Sequence, residues 1–272
     1  WKSYGYTYKK NEKFYQPESL LHLVGSDMAI SYVAVAENGE VVGHVGLLRR
    51  EQFSIGEITW LVVAPAHRDR GLMEALCNTV EKRVIELGLR GVFWTTYTSN
   101  TIAQREGTRL GGKPCGLELS SYPRVLFKTP VQDEGRPQRE SVLYFFKHLS
   151  SPPHAVVHVP QHHRKMVLRI YENLEQPCRV GDAEAAGRTG KYHVHLDKAT
   201  LEGIIKVVSA DEGLWPEILR ATKDLFQYAG TEVVYLDLPL AQPASAALCE
   251  LAEREGYFFA GIRLMEAADG DN

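Results

Sequence analysis

Trp60-Leu61-Val62-Val63-Ala64-Pro65-Ala66-His67-Arg68-Asp69-Arg70-Gly71-Leu72-Met73 is the stretch on which the reading of this chain turns. An apolar run ends at Pro65, a short loop holds His67, Arg68 and Arg70 with one glycine, and a helical pattern begins. Leu72, Leu76, Val80 and Val84 then recur every four residues, with Met73 and Cys77 alongside. Glu74, Asn78, Glu81, Lys82 and Glu86 take the other face, which is the pattern of a helix with one buried stripe. The first turn of a helix has backbone N–H groups without partners, and its dipole attracts anions. Arginines at that end are unfavourable unless an anion sits between them and the N–H groups. Gly71 lacks the Cβ that would hold a phosphate away. The loop reads either as a docking place for phosphate or as a basic surface turn that Asp69 partly neutralises.

Upstream, residues 31–36 and 41–48 read as two strands joined by Glu37-Asn38-Gly39-Glu40, and Asn-Gly predicts a tight hairpin. A third strand over 57–63 leads into the loop. Downstream, the helix from Leu72 stops at Gly88, and the β-branched and aromatic run 92–97 predicts a strand. A second helix from about Asn100 stops at Gly111, and a strand follows over 117–122. An antiparallel meander that feeds a helix and then another strand indicates a mixed α/β sheet.

The same order recurs later. A helix from Pro216 to Tyr228 stops at Gly230, a strand covers 233–236, a helix from about Ser245 stops at Gly256, and a strand is expected over 257–262. The glycine pairs fall at nearly the same spacing, which suggests two related halves, although any α/β chain alternates helix and strand. Residues 128–140 are dense in proline, glycine and charge, so the expected domains are 1–128 and 139–272. Residues 181–191 read as a loop. The second half enters its helix through Asp211-Glu212-Gly213-Leu214-Trp215-Pro216, and carboxylates there satisfy the dipole and repel a pyrophosphate. That half would complete the sheet, cover an acceptor site or mediate a homodimer.

Arg68-Asp69-Arg70-Gly71-Leu72-Met73, after Val63-Ala64-Pro65, resembles the Arg-x-x-Gly-x-(Gly/Ala) acetyl-CoA signature of GNAT N-acetyltransferases, with Met73 departing at the last position. The resemblance runs from about Ser31 to Tyr122 in the family's order of strands and helices. It implies the GNAT fold, a mixed and mostly antiparallel sheet flanked by helices, with the second half a degenerate GNAT-like copy. It implies acetyl-CoA as a substrate, its pyrophosphate held by Arg68, Asp69, Arg70, Gly71, Leu72 and Met73. The pantetheine arm would meet the backbone of Leu61, Val62 and Val63, where the strand splays from its neighbour, and Asn100 would also face the cofactor. Glu57 would act as the base, directly or through water, because a protonated amine has no lone pair; an edge-strand glutamate facing water is the plain alternative.

The family's usual Asn, Ala and Tyr spacing finds Asn100 and Ala103, but Gly107 stands where the thiolate-protonating tyrosine would be. Tyr97 could substitute, or the thiolate could leave unaided. Gln104 reads as cofactor-facing or as part of a solvated face. The opening Tyr4-Gly5-Tyr6-Thr7-Tyr8 resembles GNAT domains fused to anti-sigma-type ATPase domains in bacteria, and with Trp1 in place of methionine it implies an upstream fused domain. Tyr6 and Tyr8 could line an acceptor pocket or mark a half-buried extended segment. The implied function is an N-acetyltransferase acting on a small-molecule or protein amine by direct attack in a ternary complex. The alternatives are a non-catalytic acyl-CoA sensor and a pure interaction domain.

Composition narrows the partners. The 272 residues carry a net charge of -3 with 44% hydrophobic and 24% charged residues, so nothing pulls the whole chain toward nucleic acid or an anionic membrane. No apolar run is long enough to cross a bilayer. The four cysteines are scattered without a Cys-x-x-Cys pair, which predicts no zinc site and fits a reducing cytoplasm. His162-His163-Arg164-Lys165 reads as the solvated start of a helix whose stripe is Met166, Ile170 and Leu174 with Val167 and Tyr171. Adjacent histidines inside a helix diverge by about 100°, a poor arrangement for one metal. His193 and His195 share one face of a strand without a third ligand, so no metal is expected.

Overall fold

Gly39 takes φ 82° and the Ala36 N–H donates to the Glu40 carbonyl at 2.8 Å, closing the hairpin that Asn38-Gly39 predicts. The structure, a computed structural model, describes residues 17–26, 28–49, 53–123, 138–182 and 189–272. Tyr4, Tyr6 and Tyr8 lie outside the described residues, as do most of the 128–140 linker and the middle of the 181–191 loop.

In chain order the elements begin with α1 (Pro17–Gly25), β1 (Ala29–Val35), β2 (Val41–Arg49), β3 (Ile55–Val63), α2 (Leu72–Glu86), β4 (Gly91–Tyr97) and α3 (Thr101–Arg109). They continue with β5 (Lys113–Tyr122), β6 (Glu140–His148), β7 (Ala155–Val157), α4 (Arg164–Asn173) and β8 (Cys178–Val180). The last are β9 (Lys191–Asp197), β10 (Glu202–Ser209), α5 (Trp215–Gln227), β11 (Val233–Asp237) and α6 (Ala244–Arg254). α2, α3, α5 and α6 end where glycine can turn the chain: Gly88, Gly111, Gly230 and Gly256 all have positive φ. Among the described residues no helix is long and apolar enough to cross a membrane.

The chain divides into two compact units, residues 1–113 with 124–151 and residues 114–123 with 152–272. This division falls between residues 113 and 114, 123 and 124, and 151 and 152. In the first unit the strands run β1-β2-β3-β4-β6. All neighbours are antiparallel except β3 and β4, which are parallel, so the sheet is mixed and mostly antiparallel as expected. One face packs Val45, Leu47, Ile58 and Val92 against Leu76, Val80 and Val84 of α2, the stripe read from the sequence. Strand β6 was not expected; Val142, Tyr144, Phe145 and Phe146 are buried on both of its faces, so it lacks the alternation that marks a half-exposed strand.

In the second unit β9 pairs antiparallel with β10 and β10 pairs parallel with β11, over a core of Ile205, Val207, Leu214, Ile218, Leu225 and Leu248. The succession β10, short 3-10 turn, α5, β11, α6 repeats that of β3, short 3-10 turn, α2, β4, α3. The expected strand over 257–262 is not one. Gly261 takes φ 139° and its Cα packs so closely on Gly116 of β5 that a Cβ would come within 2.2 Å, leaving a single bridge between them. On α4 the buried side chains are Val167 and Tyr171, followed by Leu174, while Met166 is exposed, which corrects the expected stripe.

Candidate functional site

Strand β3 carries an extra residue. His44 of β2 pairs with Val62 and Gly46 pairs with Thr59, so Trp60 and Leu61 together face Val45. Trp60 has φ 57°, the left-handed conformation of a bulge residue. The bulge reverses the alternation: Ile58 faces the core before it, and Leu61 and Val63 face the core after it. Its indole lies over Gly46, where a Cβ would come within 2.3 Å of the ring. His44 holds the bulge, its Nδ1 3.0 Å from the Trp60 carbonyl and its Nε2 2.5 Å from Ser31 Oγ.

The bulge sits where two parallel strands part. β3 and β4 pair only at Ile55–Gly91, Gly56–Val92 and Glu57–Phe93, and the ladder stops there. Beyond that pair β3 continues through Leu61, Val62 and Val63 while β4 continues to Tyr97. Glu57 therefore stands at the apex of the opening, half-buried, on the face opposite Ile58. In the second unit β10 and β11 stay paired over five residues, from Glu202–Val233 to Lys206–Asp237, so the equivalent strands do not open within the length of β11.

At the open end Pro65–His67 form a 3-10 turn and Arg68 folds back, its Nε donating to the Val63 carbonyl at 3.2 Å. Arg68, Asp69, Arg70 and Gly71 are exposed, and Leu72 and Met73 are half-buried. Asp69 and Gly71 both take positive φ, and a Cβ built on Gly71 meets nothing within 4 Å. No side chain caps α2 at Gly71. The one first-turn acid, Glu74, is turned to Arg109 of α3 at 2.8 Å, and Arg109 also holds Glu106 at 2.8 Å. The start of α2 thus keeps its N–H groups, two cations and open space beside a glycine, which fits a phosphate. The second unit differs here as well: Asp211 Oδ1 accepts from the Gly213 N–H at 2.8 Å, and Glu217 lies in the first turn of α5.

Asn100 caps α3, its Oδ1 accepting from the Ala103 N–H at 3.0 Å. Gln104 donates to the Tyr97 and Thr98 carbonyls at 3.0 and 2.9 Å, tying down the turn that enters α3. Gly107 is buried, and a Cβ there would lie 2.9 Å from Nε1 of Trp94, whose indole stacks on Phe145 at 5.7 Å. A tryptophan occupies the space that a side chain at 107 would need. Cys77 is buried near the start of α2, and burial, then Glu81, push its thiol up to about 12, so it is protonated and unreactive at neutral pH.

The segment 1–111 matches the model of the acetyltransferase (GNAT) family. That segment includes the bulged β3, the basic loop and all of α2 and α3. Solved structures similar to the chain include nourseothricin acetyltransferase, at 22% identity over 46% of this chain and 68% of that one, with a TM-score of 0.39. The spermidine/spermine N-acetyltransferase SpeG of Vibrio cholerae is 14% identical over 48% of this chain and 71% of that one, with a TM-score of 0.39. A GNAT-family acetyltransferase from Staphylococcus aureus is 16% identical over 52% of this chain and 81% of that one, also at 0.39. No curated protein matches the chain.

Within the segment that matches the family model, His44, Ser31 and Trp94 are not singled out by the sequence alone. The signal for the first two was available: a bulky Trp60 on one strand with Gly43 and Gly46 on its neighbour marks a place where a large ring lies on bare backbone.

Proposed function

We propose that this protein is an N-acetyltransferase that moves the acetyl group of acetyl-CoA to the amine of a small molecule or protein. The observation that carries the reading is the opening of β3 from β4 directly above an uncapped, arginine-flanked helix start. The pyrophosphate would lie on the Leu72 and Met73 N–H groups beside Gly71, with Arg68 and Arg70 over it. The pantetheine arm would lie along Leu61, Val62 and Val63, bringing the thioester toward Glu57 at the apex. Glu57 would take a proton from the ammonium, directly or through water. The freed lone pair would attack the carbonyl carbon, and the carbon–sulfur bond would break to release CoA thiolate, which takes its proton from solvent or from Tyr97. With Cys77 held protonated in the core, transfer within a ternary complex needs no acyl-enzyme.

One observation favours a second reading, an acyl-CoA sensor without turnover: Trp94 fills the place of the missing acid at Gly107. The second unit we read as a degenerate GNAT copy without acetyl-CoA, because its strands stay zipped and Asp211 fills the turn at its helix start.

Thermal unfolding with and without acetyl-CoA tests cofactor binding, with Arg68→Glu as the comparison. At 100 times its dissociation constant a ligand stabilises the native state by about 2.7 kcal/mol. A shift seen in the wild type and lost in the variant is expected; no shift in folded protein would overturn the reading. Release of free CoA with a panel of amines then separates enzyme from sensor, and Glu57→Gln should suppress that release while leaving the thermal shift intact.

A further inference from the structure

The second unit brings together three side chains far apart in sequence. Nε2 of His162 lies 2.8 Å from one carboxylate oxygen of Glu253 on α6, and Nε2 of His163 bonds the other. These nitrogen and oxygen donors all lie within 4.8 Å of one another. The divergence expected of adjacent helical histidines does not apply, because both precede α4. They sit in the turn where the His163 N–H donates to the Pro160 carbonyl at 3.0 Å, and there the two rings lie side by side, 4.2 Å between centroids. Phe259 closes the other side of His163 at 4.9 Å and fixes that ring. His162 is 56% exposed while His163 and Glu253 are 18% and 24% exposed, so the cluster has two fixed members and an open side.

We infer that His162, His163 and Glu253 form a zinc site that pins the turn before α4 to α6. Two imidazole nitrogens and a carboxylate are a ligand set that zinc takes with water in the remaining position. Bonds of about 2.0–2.1 Å at tetrahedral angles separate ligand atoms by about 3.3 Å, and donors that now lie within 4.8 Å of one another reach that spacing by rotation of the exposed His162 ring and of the Glu253 carboxylate. Zinc takes the place of the hydrogens that the Nε2 atoms now share with the carboxylate, and each imidazole binds through an Nε2 lone pair with its ring hydrogen on Nδ1. His193 and His195 on β9 gather no third ligand among the described residues and serve as the internal comparison.

The test is titration of chelator-treated full chain with zinc chloride by calorimetry, repeated with cobalt chloride to read the visible band of a four-coordinate ion. One zinc per chain is expected, bound at least tenfold more weakly in His162→Ala, whose ring is 56% exposed, and in Glu253→Gln. The His193→Ala/His195→Ala double variant should bind like the wild type. No binding to folded protein, binding untouched by His162→Ala, or binding lost only in the β9 double variant would each overturn the site.

Discussion

Nδ1 of His44 lies 3.0 Å from the carbonyl oxygen of Trp60, the residue that bulges from β3 where that strand leaves β4. A carbonyl can only accept, so Nδ1 carries the hydrogen; in the neutral ring Nε2 then accepts from the Ser31 hydroxyl. A side chain on β2 thus bonds the bulged backbone of β3, which lies just beyond Glu57, the last residue of β3 paired with β4.

The first prediction concerns this clamp. His44→Ala should cost about 1 kcal/mol of stability, the usual net worth of one hydrogen bond. It should also weaken acetyl-CoA binding by roughly fivefold, as the bulge relaxes and the opening narrows. Gly46→Ala drives a Cβ into the Trp60 ring and should cost about 1–3 kcal/mol through overpacking. Urea midpoints and calorimetric titration read both. A His44→Ala variant with lower stability and unchanged affinity would separate the clamp from the site.

The second prediction explains an absence. Glycine inside a helix ordinarily costs about 1 kcal/mol relative to alanine, so Gly107→Ala should stabilise α3 if nothing else acts. The Trp94 indole reverses the expectation: the variant should lose about 1–3 kcal/mol, and most of the loss should vanish when Trp94 is also changed to valine. A stabilised single variant would show that Trp94 does not occupy that space.

How far the sequence reaches follows from which contacts are local. The hairpin at Gly39, the glycine stops and the buried stripe of α2 all arise from neighbours in the chain, and each is legible in the residue pattern alone. The basic loop is legible too, because Arg68, Arg70 and Gly71 adjoin one helix start. Strand β6 is hidden because both its faces are buried and periodicity is erased. The clamp of His44 on Trp60 joins residues sixteen apart across a bulge, and the convergence of His162 and His163 on Glu253 spans ninety residues, so neither leaves a local signature. The turn before α4 matters most there, since two neighbouring histidines diverge inside a helix and converge outside it.

The third prediction follows from burial of a thiol. The Cys77 thiol is pushed up to about 12 by burial, whereas an unfolded chain ionises its cysteines near 8.5. Between roughly pH 8 and 12 the unfolded state therefore holds fewer protons than the folded one, and stability falls as pH rises, by at most about 1.4 kcal/mol per pH unit for this group. Below about pH 8 it adds no slope. Urea unfolding at pH 8 and pH 10 should show the wild type losing about 2 kcal/mol more than Cys77→Ala over that interval. Cys249, raised to about 12, and Cys178, raised to about 11, act in the same direction in both proteins and cancel in the comparison. Equal losses would mean that Cys77 is open to solvent.

The fourth prediction tests why an acid is tolerated at the mouth of an anion site. Glu74 lies in the first turn of α2, where its carboxylate would compete with a pyrophosphate for the same N–H groups. Arg109 draws it away to α3 at 2.8 Å, and Glu106 steadies that arginine from the same helix. All three side chains are partly exposed, so thermal stability should change little on removing the pair. Arg109→Gln should nevertheless weaken acetyl-CoA binding, because the released carboxylate returns its charge to the helix start, and the loss should shrink as salt is added. Glu74→Gln in the same background should restore the affinity, since the competing charge is then gone. Calorimetric titration of the wild type, both single variants and the double variant completes the cycle. Should Arg109→Gln weaken binding equally with and without Glu74, the arginine would be contacting the cofactor itself, and its place would be among the phosphate-holding residues with Arg68 and Arg70.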